Sequence, residues 1–65
     1  MNATITQVIA AGDAYATGDD GRVDYIMSTE FYAAHFMPVV GERIVLESRA
    51  DSDARWLVGL ELPSE

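Results

Sequence analysis

A chain of 65 residues without a single cysteine must hold its fold by packing alone, because neither disulfides nor thiolate-bound metal can staple it. Only one core fits in such a length, so residues 1–65 are expected to form a single small domain near the lower limit of independent stability. The composition can meet that demand. Hydrophobic residues make up 49% and charged residues 23%, ordinary globular usage that argues against a disordered chain. The lack of cysteine suits a reducing compartment. The opening Met1-Asn2-Ala3-Thr4-Ile5-Thr6 has no basic leader region, and no apolar run approaches the length of a membrane span. A soluble, unprocessed cytoplasmic protein is expected.

Thr4 to Thr17 carries two conflicting signals. Ile5, Val8 and Ile9 have helical spacing, and Thr4-Ile5-Thr6-Gln7 can be read as a capping box, whereas the β-branched run Thr4, Ile5, Thr6, Val8, Ile9 favours a strand. The strand fits the neighbours better. Gly18-Asp19-Asp20-Gly21 is a turn signal, and Arg22 to Met27 begins with polar–apolar alternation, as a returning strand would. Ser28 or Thr29 then provides a helix cap, Glu30 suits the first turn, and Pro38 sets a stop, which predicts a helix over 30–37. Aromatics in that segment also allow a strand over 30–36.

That helix would be unusual, since Phe31, Tyr32, Ala33, Ala34, Phe36 and Met37 leave it almost no polar face. A domain this small cannot readily cover an element on every side. Tyr32, Phe36 and Met37 are therefore weighed as an exposed docking patch against the simpler reading that they fill the core.

The last third reads as a hairpin: Arg43 to Ser48, turn residues Ala50-Asp51-Ser52-Asp53, then Arg55 to Leu62, stopped by Pro63. Unbroken period-two alternation puts Ile44 and Leu46 on one face and Trp56, Val58, Leu60 and Leu62 on another, and pairs these rows as core. Gly59 marks a bulge or a close backbone approach. The expected architecture is α+β: a four-stranded, mainly antiparallel sheet of two hairpins packed with one short helix, with a small β-barrel as the alternative.

Chemistry is poorly represented. His35 is the single histidine, there is no Gly-x-Ser-x-Gly elbow, and a triad lacks its parts. A lone histidine without cysteine does not make a closed zinc site. Asp51-Ser52-Asp53 and Asp19-Asp20 resemble fragments of calcium loops but lack the glycine and terminal glutamate that complete one. Asp19 and Asp20 at the tip of their glycine-flanked turn oppose a phosphate. No enzyme, metal or cofactor is expected.

Eleven acidic residues against four arginines give a net charge of −7, which disfavours nucleic acid as a direct partner and favours a basic protein surface. Most carboxylates fall in or beside turns. Asp13, Asp19, Asp20, Asp24, Glu47, Asp51 and Asp53 are the candidate partner-binding acids, with Tyr32 and Phe36 as apolar candidates. The competing expectation is a solvated surface with internal pairs such as Asp24 with Arg22 and Glu47 with Arg55.

In size, acidity, lack of cysteine and lack of a catalytic constellation, the whole chain resembles the small anti-CRISPR proteins of phages and mobile elements, with a type I-C system as the expected target. Its acidic stretches Asp13 to Asp24 and Glu47 to Asp53 are similar in character to the DNA-imitating surfaces of some members. That resemblance implies a stoichiometric inhibitor, monomeric or weakly dimeric, that binds the CRISPR surveillance complex Cascade and blocks target DNA. The alternative is a small interaction module or subunit that docks through the aromatic patch.

Overall fold

The β-branched opening run does form a strand, but it ends sooner than its composition suggests. The computed structural model describes residues 1–61. Its first three strands are β1 (Asn2–Val8), β2 (Ala14–Gly18) and β3 (Val23–Ile26). Both intervening turns use one construction. Gly12 N donates to Ile9 O at 2.9 Å, and Gly21 N donates to Gly18 O at 2.9 Å. In each turn the glycine carries a positive φ, +92° at Gly12 and +85° at Gly21, which returns the chain into the next strand at little steric cost.

The second turn is the expected one. The first, Ala10-Ala11-Gly12, divides the segment Thr4 to Thr17 into two strands, so the sheet has five strands and not four. Alanine has little turn preference, and a single glycine bends the chain here.

Helix α1 (Ser28–Ala33) is shorter than the expected 30–37 and begins earlier. Its N-cap is Met27, whose side chain makes no capping hydrogen bond, so neither Ser28 nor Thr29 serves as the cap. Two carboxylates replace it. Asp13 Oδ1, from the turn before β2, accepts from Ser28 N at 2.7 Å, and Glu30 Oε2 reaches back to accept from Met27 N at 3.1 Å. Both place negative charge at the positive end of the helix dipole.

The helix ends before Pro38 because His35 adopts a left-handed backbone, φ +65°. His35 N then donates to Tyr32 O at 3.1 Å and Phe36 N to Phe31 O at 3.3 Å, the paired bonds of a Schellman motif. Phe36 folds back onto Phe31 with ring centroids 5.5 Å apart in an edge-on arrangement. Phe36 thus joins the margin of the core, and Met37 is left outside.

Strands β4 (Arg43–Ser48) and β5 (Arg55–Leu60) complete an antiparallel sheet of order β3-β2-β1-β4-β5. It curls into a half-barrel, 31 × 31 × 22 Å, that brings the edge strands β3 and β5 near one another with α1 against β5. Inside lie Ile5, Ile26, Phe31, Ile44, Leu46 and Leu57, with Ala3, Ala14 and Ala16. Three alanines on β1 and β2 leave room for the Phe31 ring, whose burial contributes on the order of 2–3 kcal/mol.

The expected pairing of core rows on the C-terminal hairpin is corrected at β5. Leu57 is the buried residue, opposite Leu46, whereas Trp56, Val58 and Leu60 are 38%, 49% and 48% exposed. The register slips between Val45 and Leu46, pairing them with Gly59 and Leu57 and leaving Val58 as the extra residue of a bulge. Unbroken alternation therefore fails at the residue before Gly59. Leu62 and the tail from Pro63 lie outside the described residues. No described helix is long and apolar enough to cross a membrane.

Candidate functional site

The half-barrel has two chemically different ends. One collects the β2–β3 turn (19–22), the β4–β5 loop (49–54) and the starts of β3 and β5. Here Asp24 and Arg55 face inward across the gap between the edge strands, with side chains only 10% and 5% exposed. Arg55 Nε donates to Asp24 Oδ2 at 2.8 Å, its Nη2 makes a second bond to the same oxygen, and Nη1 reaches Asp20 Oδ2 at 3.0 Å. A buried ion pair thus spans a seam that has no β3–β5 ladder.

Arg22 joins the two tips, donating from Nη2 to the Asp53 carbonyl and lying 3.9 Å from Asp24 Oδ1. On the outer face Arg43 holds Asp19 in a two-pronged fork, both bonds 2.7 Å, and also donates to Glu61 Oε2 and Thr4 Oγ1 at 2.9 Å each. The fork and the Arg43 charge hold the Asp19 carboxyl below its ordinary value. The Asp20 carboxyl is likewise lowered, first by the Arg22 backbone N–H and then by Arg55.

The candidate acids therefore divide. Asp19, Asp20 and Asp24 are neutralised by Arg43, Arg55 and Arg22, as the internal-pair expectation has it for Asp24 with Arg22. The other expected pair, Glu47 with Arg55, does not form: Glu47 lies opposite Trp56, and Arg55 turns inward to Asp24. Among the described residues Glu47, Asp51 and Asp53 have no cation within 4 Å. Asp51 lies in the hollow beside Trp56 and Arg49.

Asp13 has a different task. Besides Ser28 N, it accepts a bond from the Tyr25 hydroxyl, and these two contacts lower its carboxyl pKa, Tyr25 contributing most. The same bond raises the Tyr25 hydroxyl. Sequence reasoning placed Asp13 on a partner surface, but it fastens β3 and the helix to the first hairpin.

The opposite end is apolar. Between the Ala11-Gly12 turn and α1 lies an open groove of about 380 Å³, with Phe31 and Phe36 within and Tyr32, Met37 and Pro38 along its margin. Tyr32 is 86% and Met37 76% exposed, and Val39 and Val40 continue the apolar surface along the loop to β4. Of the aromatic candidates, Tyr32 faces solvent and Phe36 is half-buried, lining the groove. The sequence gave no signal for Ala11, Gly12, Val39 or Val40, because the missed first turn is what carries Ala11 and Gly12 to the helix.

This end retains negative charge. Glu30 Oε1 accepts from Leu57 N at 3.2 Å, binding the helix to edge strand β5, but neither Glu30 nor Asp13 has a guanidinium partner. Glu42, where the loop meets β4, has a buried Oε1 without a hydrogen-bond partner.

His35 is exposed on the helix end. Its described role is conformational, the left-handed step that ends α1. No group of three or more histidine, aspartate or glutamate side chains among the described residues could hold a metal ion. No family model, no curated protein and no solved structure matches this chain.

Proposed function

We propose that this chain is a non-enzymatic binding protein that occupies a surface of a larger protein partner through the helix end of the half-barrel. The observation that carries the reading is the pair Tyr32 and Met37, both more than three-quarters exposed beside an apolar groove. Keeping large apolar side chains in water favours their burial against a partner, at roughly 25 cal/mol per Å² removed from solvent. Aromatic and methionine side chains are also the types enriched at the centres of interfaces. The compartment that suits the chain is the cytoplasm, since nothing in it depends on oxidation.

A second reading is favoured by a different observation, the convergence of the 19–22 and 49–54 tips on one end. In that reading the chain is an anti-CRISPR-like stoichiometric inhibitor whose acidic end imitates DNA and occupies the DNA groove of Cascade. Magnitude ranks it second. At one charge per about 1.7 Å, duplex DNA over the 31 Å length of this molecule carries about 18 phosphate charges. The acidic tips meet that with carboxylates half of which are already matched by arginine.

One experiment separates the two. Immobilised wild-type chain, a Tyr32→Ala/Met37→Ala variant and an Asp51→Lys/Asp53→Lys variant are used to capture partners from host lysate at 50 and 300 mM salt. The proposed reading expects capture to be lost in the first variant and retained in the second. Loss only in the aspartate variant, with steep salt dependence and displacement by duplex DNA, would establish the imitation reading instead.

A further inference from the structure

From the distribution of charge around the groove we infer the chemistry of its occupant: a peptide segment of a partner protein that presents one large apolar side chain flanked by arginine or lysine. This rests on the docking surface proposed above and adds a selectivity to it. The groove, about 380 Å³ and open to solvent, has the capacity of one or two side chains and lies at the small end of ligand-sized sites. Its wall of Phe31, Phe36 and Met37 suits an apolar group.

The flanking charge comes from an imbalance along the molecule. Arg22, Arg43 and Arg55 are all engaged in ion pairs with Asp19, Asp20, Asp24 and Glu61, away from the groove. Asp13, which follows Gly12 and holds Ser28 N, keeps an uncompensated charge next to the groove, and so does Glu30, which follows Thr29 on the helix. Each oxygen of these carboxylates accepts one protein hydrogen bond, and a carboxylate has about four acceptor positions, so capacity for an incoming cation remains. The same charges oppose a second copy, since each chain carries −7. They also oppose an acidic or nucleic-acid ligand.

The test uses the intact chain, labelled with nitrogen-15, and two capped synthetic peptides, Arg-Trp-Arg and Glu-Trp-Glu, titrated at low salt. The expected result is that amide resonances of Gly12, Ser28, Tyr32 and Met37 move with the arginine peptide. Its affinity should exceed that of the glutamate peptide by about tenfold, the effect of two exposed charge contacts, and the preference should shrink in high salt. Glu30→Gln should reduce the preference, but the peptide exchange decides the matter even if that variant folds poorly.

Equal binding of both peptides in the groove would overturn the charge selectivity while leaving the docking surface in place. If neither peptide moved these amides, or if the shifts clustered around Trp56, the docking surface itself would fail. Concentration-dependent shifts of the same amides without peptide would identify a second copy as the occupant and overturn the inference.

Discussion

At the charged end, Arg55 and Asp24 close the gap between β3 and β5 with an ion pair, and both side chains are nearly removed from water. At the helix end, the same gap is covered by α1, which contributes Phe31 to the core and lends Glu30 to the backbone of β5. One seam is thus held by two kinds of interaction. The charged end spends its cations on itself, whereas the apolar end leaves Tyr32 and Met37 without a covering partner. In a domain this small the surface that stabilises and the surface that binds are therefore at opposite ends.

Four perturbations test that division. Phe31→Ala should cost about 3–5 kcal/mol, enough to unfold most molecules of a marginal domain, with the loss read as a missing or strongly lowered urea transition in circular dichroism. If Phe31→Ala shifted the midpoint only slightly, the helix would not be an integral layer of the core. Arg55→Ala should cost about 2–3 kcal/mol, because it strands Asp24 at 10% exposure, with Arg22 3.9 Å away as partial relief. Arg55→Ala with unchanged stability would mean that the ion pair merely accompanies the curl of the sheet.

His35→Gly should stabilise by about 0.5–1 kcal/mol, since glycine adopts the +65° backbone without a side-chain clash. A loss of stability on the same change would show that the imidazole itself supports the end of the helix. The smallest effect is expected from titration. The Asp13, Asp19 and Asp20 carboxyls are lowered from 3.8, so their contribution is complete above that value and is lost as the pH falls through their folded values. Thermal melts between pH 6 and pH 2 should decline only below about pH 4. On the alkaline side Tyr25, raised from 10.0 by Asp13, supports the fold below pH 10 and loses that effect as it ionises.

Much of the local structure was legible. The Gly18 to Gly21 turn, the returning strand, a helix near Glu30 and the C-terminal hairpin all follow from residue types whose preferences act over a few positions. What could not be read depended on distant partners. The cap of α1 comes from Asp13, so Ser28 and Thr29 were natural but wrong choices. The inward face of β5 is set by Asp24 on another strand, which draws Arg55 in and Leu57 with it. The docking groove needed the turn at Ala10-Ala11-Gly12, where two alanines conceal a bend of the same construction as Asp19-Asp20-Gly21.

The strand order has a kinetic corollary. Three of the four pairings, β1–β2, β2–β3 and β4–β5, join neighbours in sequence and can zip locally, whereas β1–β4 must bring Asn2 against Val45 before any other contact rewards it. Registering that central ladder should therefore set the folding rate. Substitutions there would slow refolding, while those at the seam would mainly hasten unfolding.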